Sequence, residues 1–265
     1  MKHAQRTTPR WALILGASSG FGGATATALS KAGYDIAGVH LDRAAGLVQV
    51  RKLIAGIKAR GRRAMFFNAN AADEKKRAEV LDALAKDVGD NGGTVAVLMH
   101  SLAFGTLKPF IGSDVVSHRN MNMTLEVMAH SLVFWMQDIM ARGLMGRGGR
   151  VISMTSSGSN RVIPQYGAVS AAKCALESHT RQLAVELAAH GITVNAIRGG
   201  VTRTPASERI PDSDQLFVAA VHRNPHRRLT VPKDVAQAIA ALCKPGTDWL
   251  TGNVINVDGG EEVAG

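Results

Sequence analysis

Short aliphatic runs alternate with longer amphipathic stretches along almost the whole chain. The runs predict seven strands, at residues 12–15, 35–40, 64–67, 95–99, 150–154, 193–196 and 254–257. The stretches carry apolar residues at helical spacing and predict six helices, at residues 22–32, 44–59, 73–88, 115–141, 169–189 and 232–242. Strands that alternate with helices favour right-handed βαβ units. We therefore predict an α/β fold with a single doubly wound parallel sheet and helices on both of its faces.

The size and composition of the chain fit one domain. Its 265 residues are 46% hydrophobic, and neither a repeat nor a linker rich in proline and serine divides them. We expect a single domain over residues 1–265. Two cysteines, Cys174 and Cys243, are too few for a disulfide scaffold and indicate a reduced, cytoplasmic location. The basic start and the apolar run 11–15 imitate a secretion signal, but the run is too short for one.

The formal net charge of +10 has three interpretations. The basic residues are dispersed and no basic strand pair studded with aromatic residues is present, so nucleic-acid binding is disfavoured. The summed field can instead attract an anionic cofactor and an acidic partner, or the basic surface can simply be solvated. We favour the last two interpretations together. No segment approaches the ~20 apolar residues that a membrane helix needs, so we expect no membrane partner.

A glycine-rich turn, GASSGFG, follows the first predicted strand. Glycine allows positive φ and lacks the side chain that would keep a pyrophosphate away from the backbone. The helix that follows offers unpaired N–H groups and its positive dipole end to that anion. A glycine trio between the first strand and the first helix therefore predicts a dinucleotide site. The residues assigned to it are Gly16, Ser18, Ser19, Gly20, Phe21 and Gly22.

The G-x-x-x-G-x-G spacing of this turn resembles the short-chain dehydrogenase/reductase family, and the resemblance extends over nearly the entire chain. It implies a Rossmann-type domain with a nicotinamide dinucleotide as cofactor. Asn70, with Ala71 beside it, matches the family's contact to adenine. The segment GITVNAIRGGVTRTP implies a contact near the pyrophosphate at Thr204 and a lining for the nicotinamide carboxamide. The residues of that lining are Gly200, Val201 and Thr202.

The end of the second strand usually indicates which dinucleotide is bound. An acidic residue there binds the ribose 2′-hydroxyl, whereas a basic residue accepts a 2′-phosphate. The chain reads His40, Leu41, Asp42, Arg43, with His40 where NAD-dependent relatives carry the acid. Ser19 stands where NADP-dependent relatives often carry arginine or lysine. Asp42 favours NADH and Arg43 favours NADPH, so the choice between the two cofactors stays open.

The catalytic motif departs from the most common pattern of the family. Lys173 lies in the expected segment, SAAKCALE, but Val169 stands four residues before it, and the nearest tyrosine is Tyr166. If the helix continues, this displacement moves the tyrosine by ~4.5 Å along the helix axis. When an α,β-unsaturated thioester is reduced, hydride reaches the β-carbon and negative charge develops on the thioester oxygen, two carbons further along. A displaced hydroxyl suits that reaction because a preplaced donor stabilises the enolate oxygen.

Two segments resemble the bacterial enoyl-acyl-carrier-protein reductases of this family. RVIPQYGAVSAAKCALE has their Y-x6-K spacing, and MHSLAFG resembles their loop after the fourth strand. The resemblance implies that Tyr166 donates a hydrogen bond to the enolate oxygen and that Lys173 holds the nicotinamide ribose. It further implies an enoyl thioester of acyl-carrier protein or CoA as substrate and a homotetramer. The loop residues that it assigns to the cofactor are Ser101, Leu102 and Ala103. We expect a mobile loop/helix region around residues 205–221 to cover the substrate.

Ser156 leaves a second enzymatic interpretation open. It takes the position of the catalytic serine of carbonyl reductases, and it can equally satisfy backbone groups after the fifth strand. A carbonyl reductase is therefore the alternative enzyme. A cofactor-binding regulator without turnover is the alternative from another class, because Val169 replaces the usual tyrosine.

Three further features favour a structural interpretation. His100 is more typical of a loop residue packed beside the cofactor than of an acid–base group. The Met-rich segment 121–136 has helical spacing and favours core or subunit interface over an acyl pocket. No group of His, Cys and Asp has metal-ligand spacing, so the sequence predicts no metal.

Overall fold

The computed structural model describes residues 8–264. Residues 1–7, which begin the basic start of the chain, and residue 265 lie outside the described residues. The strands are β1 (Arg10–Leu15), β2 (Asp35–His40), β3 (Ala64–Asn68), β4 (Thr94–His100), β5 (Arg150–Thr155), β6 (Thr193–Gly199) and β7 (Val254–Val257). They form one sheet in the order β3-β2-β1-β4-β5-β6-β7. Each neighbouring pair is parallel, so the predicted fold class is confirmed.

Helices connect the strands and cover the sheet on both sides. They are α1 (Gly20–Lys31), α2 (Ala44–Lys58), α3 (Glu74–Asn91), α4 (His118–Leu125), α5 (Ser131–Ala141), α6 (Gly167–Glu186), α7 (Ser213–Arg223) and α8 (Pro232–Leu242). Across residues 8–264, no helix is long and apolar enough to span a bilayer.

Alternate residues of the central strand β1 enter two different cores. Trp11, Leu13 and Leu15 pack in a cluster with residues of α3, α5 and α6. Ala12 and Ile14 face the other way and pack with residues of α1, α2 and α8. Successive side chains of a strand point to opposite faces, so a strand buried on both sides is apolar at every position. This is why the buried strands read as continuous aliphatic runs in the sequence.

The strand order places a crevice beside β1. The chain continues from β1 towards β2 and β3 on one side and, later, from β4 towards β5, β6 and β7 on the other. The loops that follow β1 and β4 therefore separate at the carboxyl ends of these two neighbouring strands. In open α/β sheets this switch point is where ligands bind.

The predicted continuous helix over residues 115–141 is wrong in two respects. The helix begins at His118, after Ser117 accepts a hydrogen bond from the Asn120 N–H at 3.2 Å. A π-helical turn, Glu126–His130, then separates α4 from α5. Beside this turn the Ser131 hydroxyl donates to the Val127 carbonyl at 2.8 Å. Apolar spacing alone does not reveal such a turn, because it inserts one residue without ending the helix.

The segment predicted as a substrate-covering loop/helix region contains helices whose bounds the sequence did not indicate. A 3₁₀ turn spans Ser207–Arg209, and α7 follows a left-handed Asp212 with a φ of 56°. In α7 only Phe217 and Ala220 are buried. A helix of 11 residues with so small a buried face leaves only a weak periodic signal in the sequence.

Trp135 attaches α5 to the loop that follows β3, and its replacement tests that attachment. Its indole is fully buried and donates to the Ala71 carbonyl at 2.7 Å. We expect Trp135→Phe to lower the free energy of unfolding by about 1–3 kcal/mol, because the buried carbonyl loses its partner. Trp135→Ala should cost about 3–5 kcal/mol. The measurement is urea unfolding followed by far-UV circular dichroism.

Trp249 supplies the matched control, since its side chain is 97% exposed. Trp249→Phe should leave the unfolding midpoint unchanged. Equal midpoints for Trp135→Phe and the wild type would contradict the structural role of the indole N–H.

Candidate active site

A cavity of about 260 Å³ opens at the carboxyl ends of β4, β5 and β6, beside the switch point. It brings together the three predicted catalytic residues, Tyr166, Lys173 and Ser156. It also gathers most of the residues assigned to the nicotinamide side of the cofactor. These are Phe21, Ser101, Leu102, Ala103, Gly200, Val201, Thr202 and Thr204.

Two glycines of the β1–α1 turn are required by close backbone packing. Gly16 has a φ of 87°, and a Cβ there would overlap the carbonyl oxygen of Ser101 in the loop after β4. A Cβ on Gly22 would overlap the carbonyl oxygen of Gly16 itself. Helix α1 begins at Gly20, which lies next to Thr204. The turn is thus closely packed and leads directly into the positive end of a helix dipole, which favours a pyrophosphate.

The predicted residues at the ends of β2 and β3 lie outside the 260 Å³ cavity. His40 is 5% exposed, and its Nδ1 lies 2.9 Å from Asp42 Oδ2. Leu41 and Arg43 are exposed. Asn70 is exposed as well, whereas the side chain of Ala71 is buried and only its backbone can reach a ligand. These residues border the position that an adenosine would take.

Lys173 is a buried cation at the inner end of the cavity. It lies on α6 and is 5% exposed. Its Nζ donates to the Met154 carbonyl at 2.7 Å and reaches the Leu102 carbonyl at 3.5 Å. Burial lowers the pKa of Lys173 to about 8, while the carboxylate of Glu177 opposes the shift. The ammonium thus joins the ends of β4 and β5 and places a positive charge at the site.

Tyr166 precedes α6 rather than lying within it. It is the N-cap residue, with a φ of −94° and a ψ of 2°, so the helix does not continue back to it. Its ring packs on Gly158, where a Cβ would lie 2.5 Å from Tyr166 Cε1. Its hydroxyl lies 3.5 Å from Ser156 Oγ, and burial raises the pKa of Tyr166. The phenol is therefore protonated at neutral pH and can donate into the cavity.

Ser156 has both of the environments that the sequence left open. Its Oγ accepts a hydrogen bond from the Gly158 N–H at 3.0 Å and so caps a 3₁₀ turn, Ser157–Ser159. The same oxygen faces Tyr166 across 3.5 Å and lines the cavity. Val169 stands where the common catalytic tyrosine would be. It is 4% exposed and contributes an apolar wall to the cavity.

A buried ion pair supports the loop that carries Ser156, and sequence reasoning missed it. Glu177, one helical turn after Lys173, lies 3.2 Å from Arg198 Nη2. The same carboxylate accepts hydrogen bonds from Thr155 at 2.6 Å and Ser159 at 2.7 Å. These contacts fix both sides of Ser156. The only available sequence signal was the position of Glu177 within the matched segment CALE, which says nothing about its partners.

His100 is fully buried beneath the site, at the end of β4. Its Nε2 lies 2.9 Å from Ser131 Oγ, and Nδ1 has no partner within residues 8–264. Burial, and then the charge of Lys173, lower the pKa of His100 to about 3. The imidazole therefore stays neutral at physiological pH, which fits the structural interpretation better than a role in proton transfer.

The apolar wall of the cavity is the part that the sequence analysis left largely unassigned. Met128, from the Met-rich segment assigned to core or interface, lines the cavity and is also buried in a small core cluster. The substrate-cover region contributes a basic and two aliphatic side chains at Arg209, Ile210 and Leu216. The other unassigned lining residues are Phe104, Gly105, Leu107, Met154, Thr155, Ser157, Ile163, Gly199, Ala206 and Ser207.

Known proteins are similar in sequence to this chain over most of its length. A family model described as Enoyl-(Acyl carrier protein) reductase matches residues 16–262. The enoyl-acyl-carrier-protein reductase (NADH) FabI of Aquifex aeolicus is 28% identical over 183 residues, which are 69% of this chain and 67% of that protein. The 1-cyclohexenylcarbonyl-CoA reductase of Streptomyces collinus is 29% identical over 262 residues, 97% of this chain and 89% of that protein.

A solved structure shares the fold and a related sequence. The short-chain dehydrogenase from Burkholderia cenocepacia, in complex with NADP, is 27% identical. Its TM-score is 0.80, with 97% of this chain and 99% of that chain covered.

The burial of Lys173 has a consequence for stability that can be measured. Its pKa is about 8 in the folded protein and near the ordinary 10.5 in the unfolded chain. Between these pH values the unfolded chain binds more protons, so this group makes the wild type more stable as pH rises. Lys173→Met lacks that contribution. We expect the stability of the wild type relative to Lys173→Met to increase from pH 8 to pH 10.5, as measured by urea unfolding.

Lys31→Met removes an exposed lysine and serves as the control for loss of a surface charge. A stability difference between the wild type and Lys173→Met that stays constant across the same pH range would refute a depressed pKa for Lys173.

Proposed function

The chain belongs to the enoyl-(acyl carrier protein) reductase family of short-chain dehydrogenases/reductases and is an oxidoreductase, and we propose that it reduces the C2–C3 double bond of an enoyl thioester with NADH or NADPH. One observation carries the proposal. A protonated phenol, Tyr166, stands before the first residue of α6 and faces a mostly apolar cavity, while Val169 closes the position of the common tyrosine. The phenol thus reaches the cavity from before α6 and not from the position of the common tyrosine, which fits negative charge that develops two carbons beyond the atom that receives hydride.

The residues around the cavity fit a nicotinamide dinucleotide. Close backbone packing at Gly16 and Gly22 holds the turn that would receive the pyrophosphate, and the start of α1 adds its dipole. Lys173 would hold the nicotinamide ribose, and Gly200, Val201 and Thr202 would line the carboxamide. The bound cofactor supplies a hydride. The segments that carry these residues converge on the same cavity wall, which supports this assignment.

The roles of the side chains follow from their protonation and position. Tyr166 donates a hydrogen bond to the thioester oxygen, where negative charge develops as the double bond is reduced. The positive charge of Lys173 adds to the stabilisation of that oxygen. A proton from solvent completes the α-carbon. Ser156 keeps Tyr166 in place through the turn that it caps, since Gly158 of that turn packs on the phenol ring.

The substrate carrier, the assembly and the location complete the proposal. We propose an acyl-carrier-protein or CoA thioester as substrate, which the names of the relatives from Aquifex aeolicus and Streptomyces collinus support. We propose a homotetramer that forms through α4, α5 and α6, where the partly exposed Phe134 lies. A cytoplasmic location fits the two free thiols, Cys174 and Cys243.

Reduction of a carbonyl group is the second candidate. The 3.5 Å contact between Tyr166 and Ser156 favours it, because a serine beside the tyrosine can hold a ketone oxygen. The two reactions differ in which atom receives hydride, so two matched substrates separate them. These are a crotonyl thioester for the enoyl reaction and an acetoacetyl thioester for the carbonyl reaction.

We expect wild-type protein to consume reduced nicotinamide cofactor with the crotonyl thioester. Tyr166→Phe should lower kcat by about 10²–10³-fold, the usual effect of removing one oxyanion donor. Cofactor affinity should be unchanged, because the phenol serves the substrate oxygen. Ser156→Ala should have a much smaller effect in the enoyl reaction, while in carbonyl reduction it should be as damaging as the loss of Tyr166. The assay follows absorbance of the reduced cofactor.

Consumption with the acetoacetyl thioester alone would establish the carbonyl reaction instead. Cofactor binding without consumption on either thioester would support the regulator without turnover.

A further inference from the structure

Glu177 of α6 and Arg198 of β6 form an ion pair that is almost completely buried. Arg198 Nη2 lies 3.2 Å from Glu177 Oε1, and the side chains of Arg198 and Glu177 are 10% and 12% exposed. Arg198 stands opposite Thr155 in the register of β5 and β6, so the pair lies at the carboxyl ends of these strands. Its Nε is buried without a partner within residues 8–264. Buried ion pairs can often be replaced by apolar residues without loss of stability, so stability alone does not account for this one.

Both partners of the pair contact the 3₁₀ turn that follows β5. Glu177 Oε1 accepts hydrogen bonds from the hydroxyls of Thr155 at 2.6 Å and Ser159 at 2.7 Å. Arg198 Nη2 donates to Ser159 Oγ at 3.1 Å and to Asn160 Oδ1 at 3.0 Å. The turn is therefore held at its start and its end by one carboxylate and one guanidinium.

The same turn determines where the phenol of Tyr166 lies. The ring packs directly on Gly158, where a Cβ would be 2.5 Å from Tyr166 Cε1. The Gly158 carbonyl accepts a hydrogen bond from the Ser170 hydroxyl of α6 at 2.5 Å. Since no side chain fits between the turn and the ring, a displacement of the turn changes the position of the phenol.

Glu177 also lies one helical turn after Lys173, so the two side chains share a face of α6. The other titratable groups around Lys173 are Tyr166, before α6, and His100, at the end of β4; β6 contributes Arg198 through its pair with Glu177. His100 has a pKa of about 3 and burial raises the pKa of Tyr166, so both are neutral at pH 7. Among these groups Glu177 is the anion, and it opposes the burial that lowers the pKa of Lys173.

We propose that Glu177 is a positioning residue of this site. Together with Arg198 it holds the turn after β5 against the Tyr166 ring, and its negative charge keeps the ammonium of Lys173 charged at neutral pH. Glu177 does not line the cavity, so it acts through these residues and not on the substrate. The inference rests on the proposed roles of Tyr166 and Lys173, which both candidate reactions need.

Glu177→Gln keeps the shape of the side chain and a hydrogen-bond acceptor, and it removes the charge. Loss of the neighbouring anion lowers the pKa of Lys173, so less of the lysine is charged at pH 8. With saturating cofactor, we expect kcat to fall relative to the wild type by about fivefold at pH 8 and by less than about twofold at pH 6. The measurement is kcat from pH 6 to pH 9.5 on the thioester that the wild type reduces, followed by absorbance of the reduced cofactor.

Arg198→Met should move the pH profile in the opposite direction. It removes the guanidinium that neutralises the Glu177 carboxylate, so the carboxylate acts more strongly on Lys173. The decrease of kcat at alkaline pH should then occur at a higher pH than in the wild type. General loosening of the turn would displace both profiles in the same direction or neither. Shifts of one sign in Glu177→Gln and Arg198→Met, or no shift in either, would overturn the proposal.

Glu177→Ala tests the contacts with the turn separately from the charge. It also removes the acceptor of Thr155 and Ser159, and a displaced catalytic group lowers the rate steeply. We therefore expect kcat at pH 6 to be at least about tenfold lower than in Glu177→Gln. The dissociation constant of the cofactor should be unchanged, because the turn packs on the phenol. Equal kcat values of the two variants at pH 6 would contradict the role of Glu177 in holding the turn.

Glu186→Gln is the matched control. Glu186 is an exposed carboxylate on the same helix, and its hydrogen-bond partner is the neutral amide of Gln182. This variant should leave kcat and its pH dependence unchanged.

A second measurement needs no substrate. In protein labelled with ¹³C at the lysine ε-carbon, the signal of Lys173 is the one missing from Lys173→Met, and its NMR titration reports the pKa of that lysine. We expect the titration midpoint to fall in Glu177→Gln, to rise in Arg198→Met and to stay unchanged in Glu186→Gln. These shifts without turnover of either thioester would mean that the proposed function fails while Glu177 still controls the charge of Lys173. One common midpoint in all of these proteins would refute the proposal whatever the kinetics show.

Discussion

The close approach of two backbones, at Gly16 and Ser101, is the contact on which the site depends. The N–H groups of Gly16 and Ala17 both donate to the Val39 carbonyl, at 2.8 and 3.0 Å, and the Ser101 N–H donates to the Leu15 carbonyl at 2.9 Å. The turn after β1 is thereby joined to β2 on one side and to the loop after β4 on the other. No side chain fits between the turn and that loop. The cofactor surface and the substrate cavity consequently share one rigid wall.

Lys173 and Glu177 illustrate how the polar interior of the site is arranged. An isolated buried charge destabilises the folded state, so each of these two charged groups needs partners of its own. Here the carboxylate is paired with Arg198 and two hydroxyls, while the ammonium has two backbone carbonyls. The same groups connect β5, β6 and α6 around the loop of Ser156. The hydrogen bonds and ion pair that satisfy the buried charges therefore also fix the loop of Ser156.

The sequence predicts most of the secondary structure and motif residues, and few of the contacts that join segments distant in the chain. β2 and β7 have the predicted bounds, because each is a short run rich in aliphatic residues that ends at clear turn signals. The glycine-rich turn, Tyr166 and Lys173 also lie where the motifs placed them, at the cavity or beside it. Helix α7 was expected only as part of a loop/helix region without bounds, because its buried face is small.

Three other features depend on pairings that no periodicity encodes. The ion pair of Glu177 and Arg198 joins residues on different elements. The cavity between α1 and α2 requires the packing of two helices, and the contact of Asp42 with Nδ1 of the buried His40 requires the end of β2. Sequence spacing identifies candidate residues at such places, but the direction of each side chain is set by its neighbours in the fold.

The π-helical turn at Glu126–His130 has a consequence for how one long helical segment serves two surfaces. A single additional residue advances the angular position of all later side chains by about 100°. Met128, within the turn, faces the cavity, whereas Trp135 and Met136, beyond it, are buried against the sheet. The turn therefore lets residues on one helical segment point in two directions, towards the cavity at Met128 and into the core at Trp135 and Met136. A substitution that changes the cavity wall can be accommodated without rotating the core-packing residues.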